Sequence, residues 1–96
     1  MTLKETIKNR RVEIQRIAER HGAEQIRLFG SVARDEARID SDVDFLVRFR
    51  KHASLLDQAA MIRELEVALG RKVDVVSETG LRDRIRDRVL KEAVQL

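Results

Sequence analysis

Five residues, from two short motifs and one later apolar run, combine the side chains suited to binding phosphate and divalent metal. Gly30 and Ser31 end one apolar run, and Asp42 and Asp44 begin the next after ten intervening residues. A third carboxylate, Asp74, lies between valines in a later run. A glycine-serine turn lets the backbone approach a phosphate, and carboxylates are ligands of hard divalent cations. The combination predicts phosphoryl or nucleotidyl transfer assisted by metal.

The three aspartates have distinct expected roles. Such a transfer needs several negative charges neutralised and an acceptor oxygen held in line. We expect Asp42 and Asp44 to bind both of two metal ions, and Asp74 to bind the ion beside the acceptor hydroxyl and accept its proton. An aspartate pair at a strand start is, by itself, more often turn chemistry. Asp74 argues against that alternative, because a lone carboxylate in an interior strand is costly to bury unless paired or metal-bound.

Gly30, Ser31 and Arg34 are the candidate nucleotide-binding residues. The glycine allows close backbone approach, the Ser31 hydroxyl can donate to a β- or γ-phosphate oxygen, and Arg34 follows one turn later. The polar residues also have purely structural alternatives. Ser31 stands where a helix N-cap belongs, and Arg34 and Arg38 can be solvated surface residues.

Hydrophobic periodicity indicates the elements that must position these residues. Apolar residues spaced by threes, fours and sevens predict one amphipathic helix over residues 3–21, with Gly22 as its C-terminal cap. Alternation predicts a short strand over 25–29, and Ser31 is expected to cap a brief helix over 32–37.

The second half of the chain is expected to contribute two strands and two helices. Residues 42–50 alternate without a break, which places both carboxylates of the second motif on one face of a strand. A helix over 55–69 begins at a capping box, ends at a glycine and leads to a third strand over 72–76. Thr79 or Gly80 starts the last helix.

This order of elements defines a small mixed sheet. The short connection between the first two strands predicts that they are antiparallel, and the long helix before the third permits a right-handed parallel crossover. We therefore expect an α/β (α+β) fold with a three-stranded mixed sheet and flanking helices. The glycine-serine turn and all three aspartates would meet at one end of that sheet.

Composition restricts the class of protein. With 96 residues and 43% hydrophobic content, the chain is expected to form one domain, residues 1–96. The absence of cysteine and the presence of only two histidines favour oxygen ligands, and hence Mg²⁺ or Mn²⁺. Apolar runs are far shorter than the ~20 residues that span a bilayer, which predicts a cytoplasmic protein without a membrane partner. With 3% aromatic residues, the chain offers no stacking platform for single-stranded nucleic acid.

The motifs resemble the signature of the polymerase β-like nucleotidyltransferase superfamily. The resemblance rests on Gly30 and Ser31, ten residues, Asp42 and Asp44, then Asp74 in a later strand, and it covers nearly the whole chain. Gly-Ser-Val-Ala-Arg and Ser-Asp-Val-Asp-Phe-Leu-Val closely resemble the superfamily's minimal nucleotidyltransferases. The resemblance implies the fold of the minimal nucleotidyltransferases. It also implies that the three aspartates are metal ligands, that Asp74 is the base, and that Gly30 and Ser31 bind the triphosphate.

In that family, similar small proteins are antitoxins that silence HEPN-domain ribonuclease toxins by transferring AMP from ATP to a toxin tyrosine. The resemblance thus implies a metal-dependent protein adenylyltransferase that uses ATP as substrate and two Mg²⁺ ions. Its implied partner is a HEPN-type toxin encoded nearby. Larger relatives carry further domains that bind the acceptor, and this chain has none, so a partner protein would complete the site.

Two other functions stay open. The chain could be a non-catalytic module that neutralises a toxin by occlusion and keeps the aspartates for a structural metal; ATP turnover distinguishes this from the enzyme. Nucleic-acid binding would rest on the arginines of the last helix. Asp83, Asp87 and Glu92 interrupt that basic run, and the aspartates lie at pairing distance from Arg86 and Lys91, which favours a solvated or partner-facing surface.

Overall fold

The computed structural model describes residues 1–96 and contains a four-stranded mixed sheet in the order β3-β2-β1-β4. The elements in chain order are α1 (Leu3–Asn9), α2 (Arg11–Arg20), β1 (Ala23–Phe29), α3 (Gly30–Ala33), β2 (Val43–Phe49), α4 (Leu55–Leu69), β3 (Val73–Ser77), a single 3₁₀ turn (Glu78–Gly80), α5 (Asp83–Glu92) and β4 (Val94–Gln95). None of the helices combines the length and apolar character needed to cross a lipid bilayer.

The pairing of the first three strands confirms the predicted topology. β1 and β2 are antiparallel, and β2 and β3 are parallel. The prediction of three strands is wrong, because β4 adds a fourth strand that pairs antiparallel with β1 at Arg27 and Leu28. β4 has only two residues, Val94–Gln95, which is too short for alternation to stand out beside the helical spacing that precedes it.

The second correction concerns the place of β3. The strand lies at the edge of the sheet, next to β2 alone, and Asp74 is exposed. The prediction of an interior strand with a costly buried carboxylate is therefore wrong. Edge strands commonly carry charged side chains, so solvation alone can satisfy this one. Asp74 remains a candidate metal ligand because it pairs with Asp44 across β2 and β3.

The N-terminal helix is also divided. The chain leaves helical geometry at Arg10, with φ −103° and ψ 17°, so that α1 and α2 replace the single predicted helix. The arginine hydrogen-bonds the Ala68 carbonyl of α4 and pairs with Glu13. Both halves still reach the core, where Ile7 and Ile14 are buried.

One face of the sheet carries the main core. Val43, Phe45 and Val47 alternate along β2 and are fully buried in a cluster of sixteen apolar residues that includes side chains of α1, α2 and α4. Burying each such side chain stabilises the fold by about 1.5–3 kcal/mol before entropy is counted. The alternation leaves the other face of β2, which includes Asp44, for the functional site.

The ends of α4 confirm the predicted signals. Ser54 and Asp57 form a reciprocal capping box, in which the serine hydroxyl accepts from the Asp57 amide and the carboxylate accepts from the Ser54 amide. Gly70 ends the helix in the left-handed conformation with φ +65°. The helix therefore has fixed ends, and Val73 of β3 starts three residues beyond its C-terminal glycine.

Candidate active site

Strand register brings the predicted site residues to one edge of the sheet. Phe29, the last residue of β1, pairs with Asp44, and Asp44 pairs with Asp74 of β3. Gly30 follows Phe29 directly, and Asp42 directly precedes β2. Since paired residues on neighbouring strands point to the same face about 5 Å apart, the Asp44 and Asp74 side chains leave the sheet side by side. The predicted meeting of the three motifs at one end of the sheet is confirmed.

Gly30 is in direct contact with Asp44. Its φ is +75°, in the region that favours glycine, and a Cβ placed on it would lie 2.3 Å from Asp44 Oδ2. Any other residue here would be strained and would push the carboxylate aside. Glycine is therefore required here both for the positive φ and for the space that its missing side chain leaves for Asp44.

The Asp44 carboxyl has a perturbed pKa. Partial burial, followed by the negative charges of Asp74, Asp42 and Glu92, raises its pKa to about 6, while Arg34 opposes the shift. Burial penalises the ionised form, and like charges nearby add to that penalty. A bound cation would relieve both effects, because it supplies the opposite charge beside Asp44 and the neighbouring carboxylates.

The three aspartates fit a divalent cation in their donor chemistry, and their strands place them at one edge of the sheet. None of their carboxylates accepts a hydrogen bond from another part of the chain, and Asp42 and Asp74 are exposed. Their side chains are not gathered, because the structure contains no group of three or more His, Cys, Asp or Glu residues arranged to hold a metal. Carboxylate oxygens are the donors that Mg²⁺ prefers, and unpaired carboxylates can rotate towards an ion.

Ser31 is not a helix cap. α3 begins at Gly30, its N-cap position is Phe29, and no side-chain hydrogen bond caps it. The structural alternative for Ser31 is therefore wrong. The hydroxyl is half-buried and has no hydrogen-bond partner in the protein, so it is available to a ligand beside the glycine.

Arg34 lies at the C-terminal end of α3 and is held by two carboxylates. Its Nε donates to Glu36 at 3.1 Å, and its Nη1 donates to Glu92 at 2.6 Å. Arg34 is exposed, as the alternative of a surface residue expects, and it is also ion-paired. A phosphate would reach this guanidinium only by sharing it with these carboxylates or by displacing one of them.

Glu92 is a site residue that sequence reasoning missed. Besides pairing with Arg34, it accepts a hydrogen bond from the Gly30 amide at 3.2 Å. In the sequence it only interrupts a basic run, 62 positions from the glycine. No sequence signal could have revealed it, because the strand that follows it, β4, has only two residues and its pairing with β1 is a long-range contact.

The arginines of α5 do not form the ion pairs within the helix that the sequence spacing suggested. Asp83 and Asp87 form no ion pair with Arg86, Lys91 or any other cation of the chain. These side chains are exposed along the helix, so charge on this surface is solvated.

A second group of ion pairs lies on the face of the sheet that carries Asp44, towards the opposite end of the strands. Glu78, in the 3₁₀ turn after β3, pairs with Arg27 of β1 and with Arg48 of β2 at 3.0 Å. Partial burial disfavours the ionised form of Glu78, but hydrogen bonds from Arg48 and Arg27 hold the pKa of this carboxyl below its usual range. This group ties three strands together without contacting the aspartates.

Comparison with known proteins agrees with this geometry. Residues 10–96 match the family described as nucleotidyltransferase domain. The protein adenylyltransferase MntA of Thermococcus cleftensis is 44% identical over 78 residues, which cover 81% of this chain and 79% of that protein. A solved minimal nucleotidyltransferase structure is 50% identical, covers 100% of this chain and 97% of its own, and superposes with a TM-score of 0.89.

The fold also recurs in a toxin-antitoxin structure with AMP-PNP. That likeness has a TM-score of 0.74 at 21% identity, covers 85% of this chain and 68% of the other, and shows the fold alone. The enzyme class predicted from the motifs is confirmed by the family match and by the adenylyltransferase relative. The chain belongs to the nucleotidyltransferase domain family, as a minimal nucleotidyltransferase and therefore a transferase.

Proposed function

We propose that the chain is a protein adenylyltransferase that transfers AMP from ATP to a hydroxyl of a partner toxin and acts as its antitoxin. The observation that carries the proposal is the contact of Gly30 with Asp44, combined with the register that sets Asp44 beside Asp74. A backbone turn for phosphate then adjoins carboxylates for metal. The MntA relative is named for this activity, and a structurally similar chain occurs in a toxin-antitoxin structure with AMP-PNP.

Each site residue has a role in the proposed reaction. Gly30 and Ser31 would bind the triphosphate through the backbone amide and the free hydroxyl. Asp42, Asp44 and Asp74 would hold two Mg²⁺ ions, or Mn²⁺, which when bound neutralise the triphosphate and the leaving pyrophosphate. The relief of repulsion at Asp44 would contribute to the affinity of this carboxylate set.

The reaction proceeds by in-line displacement at phosphorus. The acceptor oxygen, which we assign to a tyrosine of a HEPN-type toxin encoded nearby, forms a bond to the α-phosphorus of ATP. The bond from that phosphorus to the β-phosphate oxygen breaks, and pyrophosphate leaves with its electron pair. The phenolic proton passes to Asp74, whose carboxylate is free of hydrogen bonds.

The exposure of Asp74 supports an acceptor on another protein. β3 is an edge strand, so a side chain approaching from outside meets Asp74 before it meets the half-buried Asp44. A base intended for a small acceptor enclosed in the protein would be covered instead. The open edge of the sheet therefore suits transfer to a macromolecule.

The alternative is a non-catalytic module that neutralises the toxin by occlusion. One observation favours it: the three carboxylate side chains are not gathered into a metal-binding group. Occlusion would depend on the area of the interface, to which a single carboxylate contributes little. The two functions therefore differ in what a substitution at Asp74 does.

The test uses Asp74→Asn, with Asp87→Asn on the exposed face of α5 as a control of equal charge change. The variants and the parent are incubated with labelled ATP, Mg²⁺ and the product of the adjacent gene, and the toxin is analysed by mass spectrometry for added AMP. We expect Asp74→Asn to fold and bind ATP but to lose transfer by about 10²–10⁴-fold, as for loss of a general base. Full rescue of toxin-expressing cells by Asp74→Asn, with an unmodified toxin, would establish occlusion instead.

A further inference from the structure

We propose that Glu92 is an internal competitor of the triphosphate, whose carboxylate binds the donors that a phosphate group of the nucleotide would use. This inference rests on the proposed function, because it concerns the nucleotide site of that reaction. It adds a residue that sets nucleotide affinity and makes the end of α5 part of the site.

The contacts of Glu92 are those of a bound phosphate. One oxygen accepts from the Gly30 amide at 3.2 Å, and the other accepts from Arg34 Nη1 at 2.6 Å. A main-chain amide in a glycine turn and a guanidinium are common donors to phosphate oxygens. The Glu92 side chain, which is 19% exposed, occupies both donors at once.

Strand register explains why Glu92 reaches the turn. Leu28 of β1 pairs antiparallel with Val94 of β4, and Arg27 pairs with Gln95. Gly30 lies two residues after Leu28, and Glu92 lies two residues before Val94, so this pairing brings the two positions close together. The pairing of β4 with β1 therefore holds the backbone of Glu92 near the turn, and its side chain completes the contact.

The position of Glu92 in its own helix is unfavourable. It is the last residue of α5, where the helix dipole disfavours a negative charge. Although partial burial opposes ionisation, hydrogen bonds from Arg34 and Gly30 hold the pKa of Glu92 below its usual range. The charge is thus retained for its contacts with the site rather than for the stability of the helix.

Electrostatics favour exchange over joint binding. Glu92 already adds to the negative potential at Asp44, so a triphosphate beside a retained Glu92 would meet another like charge. Arg34 keeps its second bond, to Glu36 at 3.1 Å, when Glu92 leaves. The guanidinium would therefore stay oriented for the incoming phosphate.

The experiment measures binding by calorimetry for the parent, Glu92→Gln and Glu92→Ala, with Glu19→Gln on the exposed face of α2 as a control of equal charge change. The probes are ATP with Mg²⁺, inorganic tripolyphosphate with Mg²⁺, and adenosine. If the competitor fills the donors about nine-tenths of the time, Glu92→Ala should bind ATP about tenfold more tightly, and Glu92→Gln, whose neutral amide oxygen is a weaker acceptor, should show a smaller gain. Tripolyphosphate should show the same gain, while adenosine and the control variant should show none.

Three results would overturn the proposal. Equal ATP affinities in parent and variants would mean that Glu92 does not compete, and weaker binding in both variants would make it a positioning residue for Arg34. Both results leave the proposed function intact, since the parent still binds ATP. If neither the parent nor the variants bind ATP, the proposed function fails together with this inference.

Discussion

Replacing Gly30 by alanine tests the contact that joins the phosphate turn to the carboxylates. The new methyl group would be held at φ +75° and would lie 2.3 Å from Asp44 Oδ2, well inside van der Waals contact. The backbone strain costs about 1–2 kcal/mol for a residue with a Cβ in the left-handed region. The clash involves the end of a side chain, so Asp44 can relieve it by rotating away from the turn.

The backbone strain and the clash with Asp44 predict different effects on stability and on activity. The free energy of unfolding should fall by about 1–2 kcal/mol, or roughly 4–15 °C in Tm for a domain of this size. AMP transfer should fall much further, because a catalytic group misplaced by about 1 Å can cost on the order of a hundredfold in rate. The displaced group here is the half-buried carboxylate whose pKa is raised to about 6.

Two other glycines provide matched controls. Gly70 has φ +65° but nothing within 4 Å of an added Cβ, so Gly70→Ala should show the loss of stability without the loss of activity. Gly80 has neither a positive φ nor a neighbour, and Gly80→Ala should change neither quantity. Thermal unfolding and mass spectrometry of the modified toxin measure the two effects. Equal activities of Gly30→Ala and Gly70→Ala would refute the assignment of this contact to the site.

Two further predictions concern charge. The folded-state pKa of Asp44 is raised to about 6, so its contribution to stability is present below the unfolded value and lost as the pH rises through about 6. Without metal, Asp44→Asn should therefore melt above the parent at pH 8 and lose that advantage near pH 4; a parent that is equally stable at both pH values relative to the variant would contradict this. The pKa of Glu78 is lowered, so the stability that it gains from Arg27 and Arg48 is present at neutral pH and lost as the pH falls through its folded value. The difference in Tm between parent and Glu78→Gln should shrink in acid, and a difference independent of pH would indicate a packing effect instead.

The parts predicted well from sequence are those that local signals determine. Unbroken alternation from Val43 to Phe49 defined β2 and the face that carries Asp44, and the capping box at Ser54 defined the start of α4. The length of each connection then indicated the strand directions. With register constrained in this way, motifs far apart in the chain had to meet at one edge of the sheet.

The errors occur where long-range contacts decide the structure. Arg10 interrupts the N-terminal helix where it hydrogen-bonds the Ala68 carbonyl of α4, a contact 58 positions away. The valines around Asp74 suggested an interior strand, but the extra strand joined the sheet on the other side of β1. Local periodicity carries no information about either event, because each depends on which distant element packs alongside.

The short strand β4 has an influence on the site out of proportion to its two residues. By pairing with Arg27 and Leu28 it anchors the end of α5 beside the turn, where the Glu92 carboxylate accepts a hydrogen bond from the Gly30 amide. A two-residue pairing is among the least stable in a sheet, so the anchor can open locally without unfolding the core. The shortness that hides β4 from periodicity would therefore also let the Glu92 carboxylate leave the phosphate donors while Asp44 and Asp74 stay fixed on the longer strands.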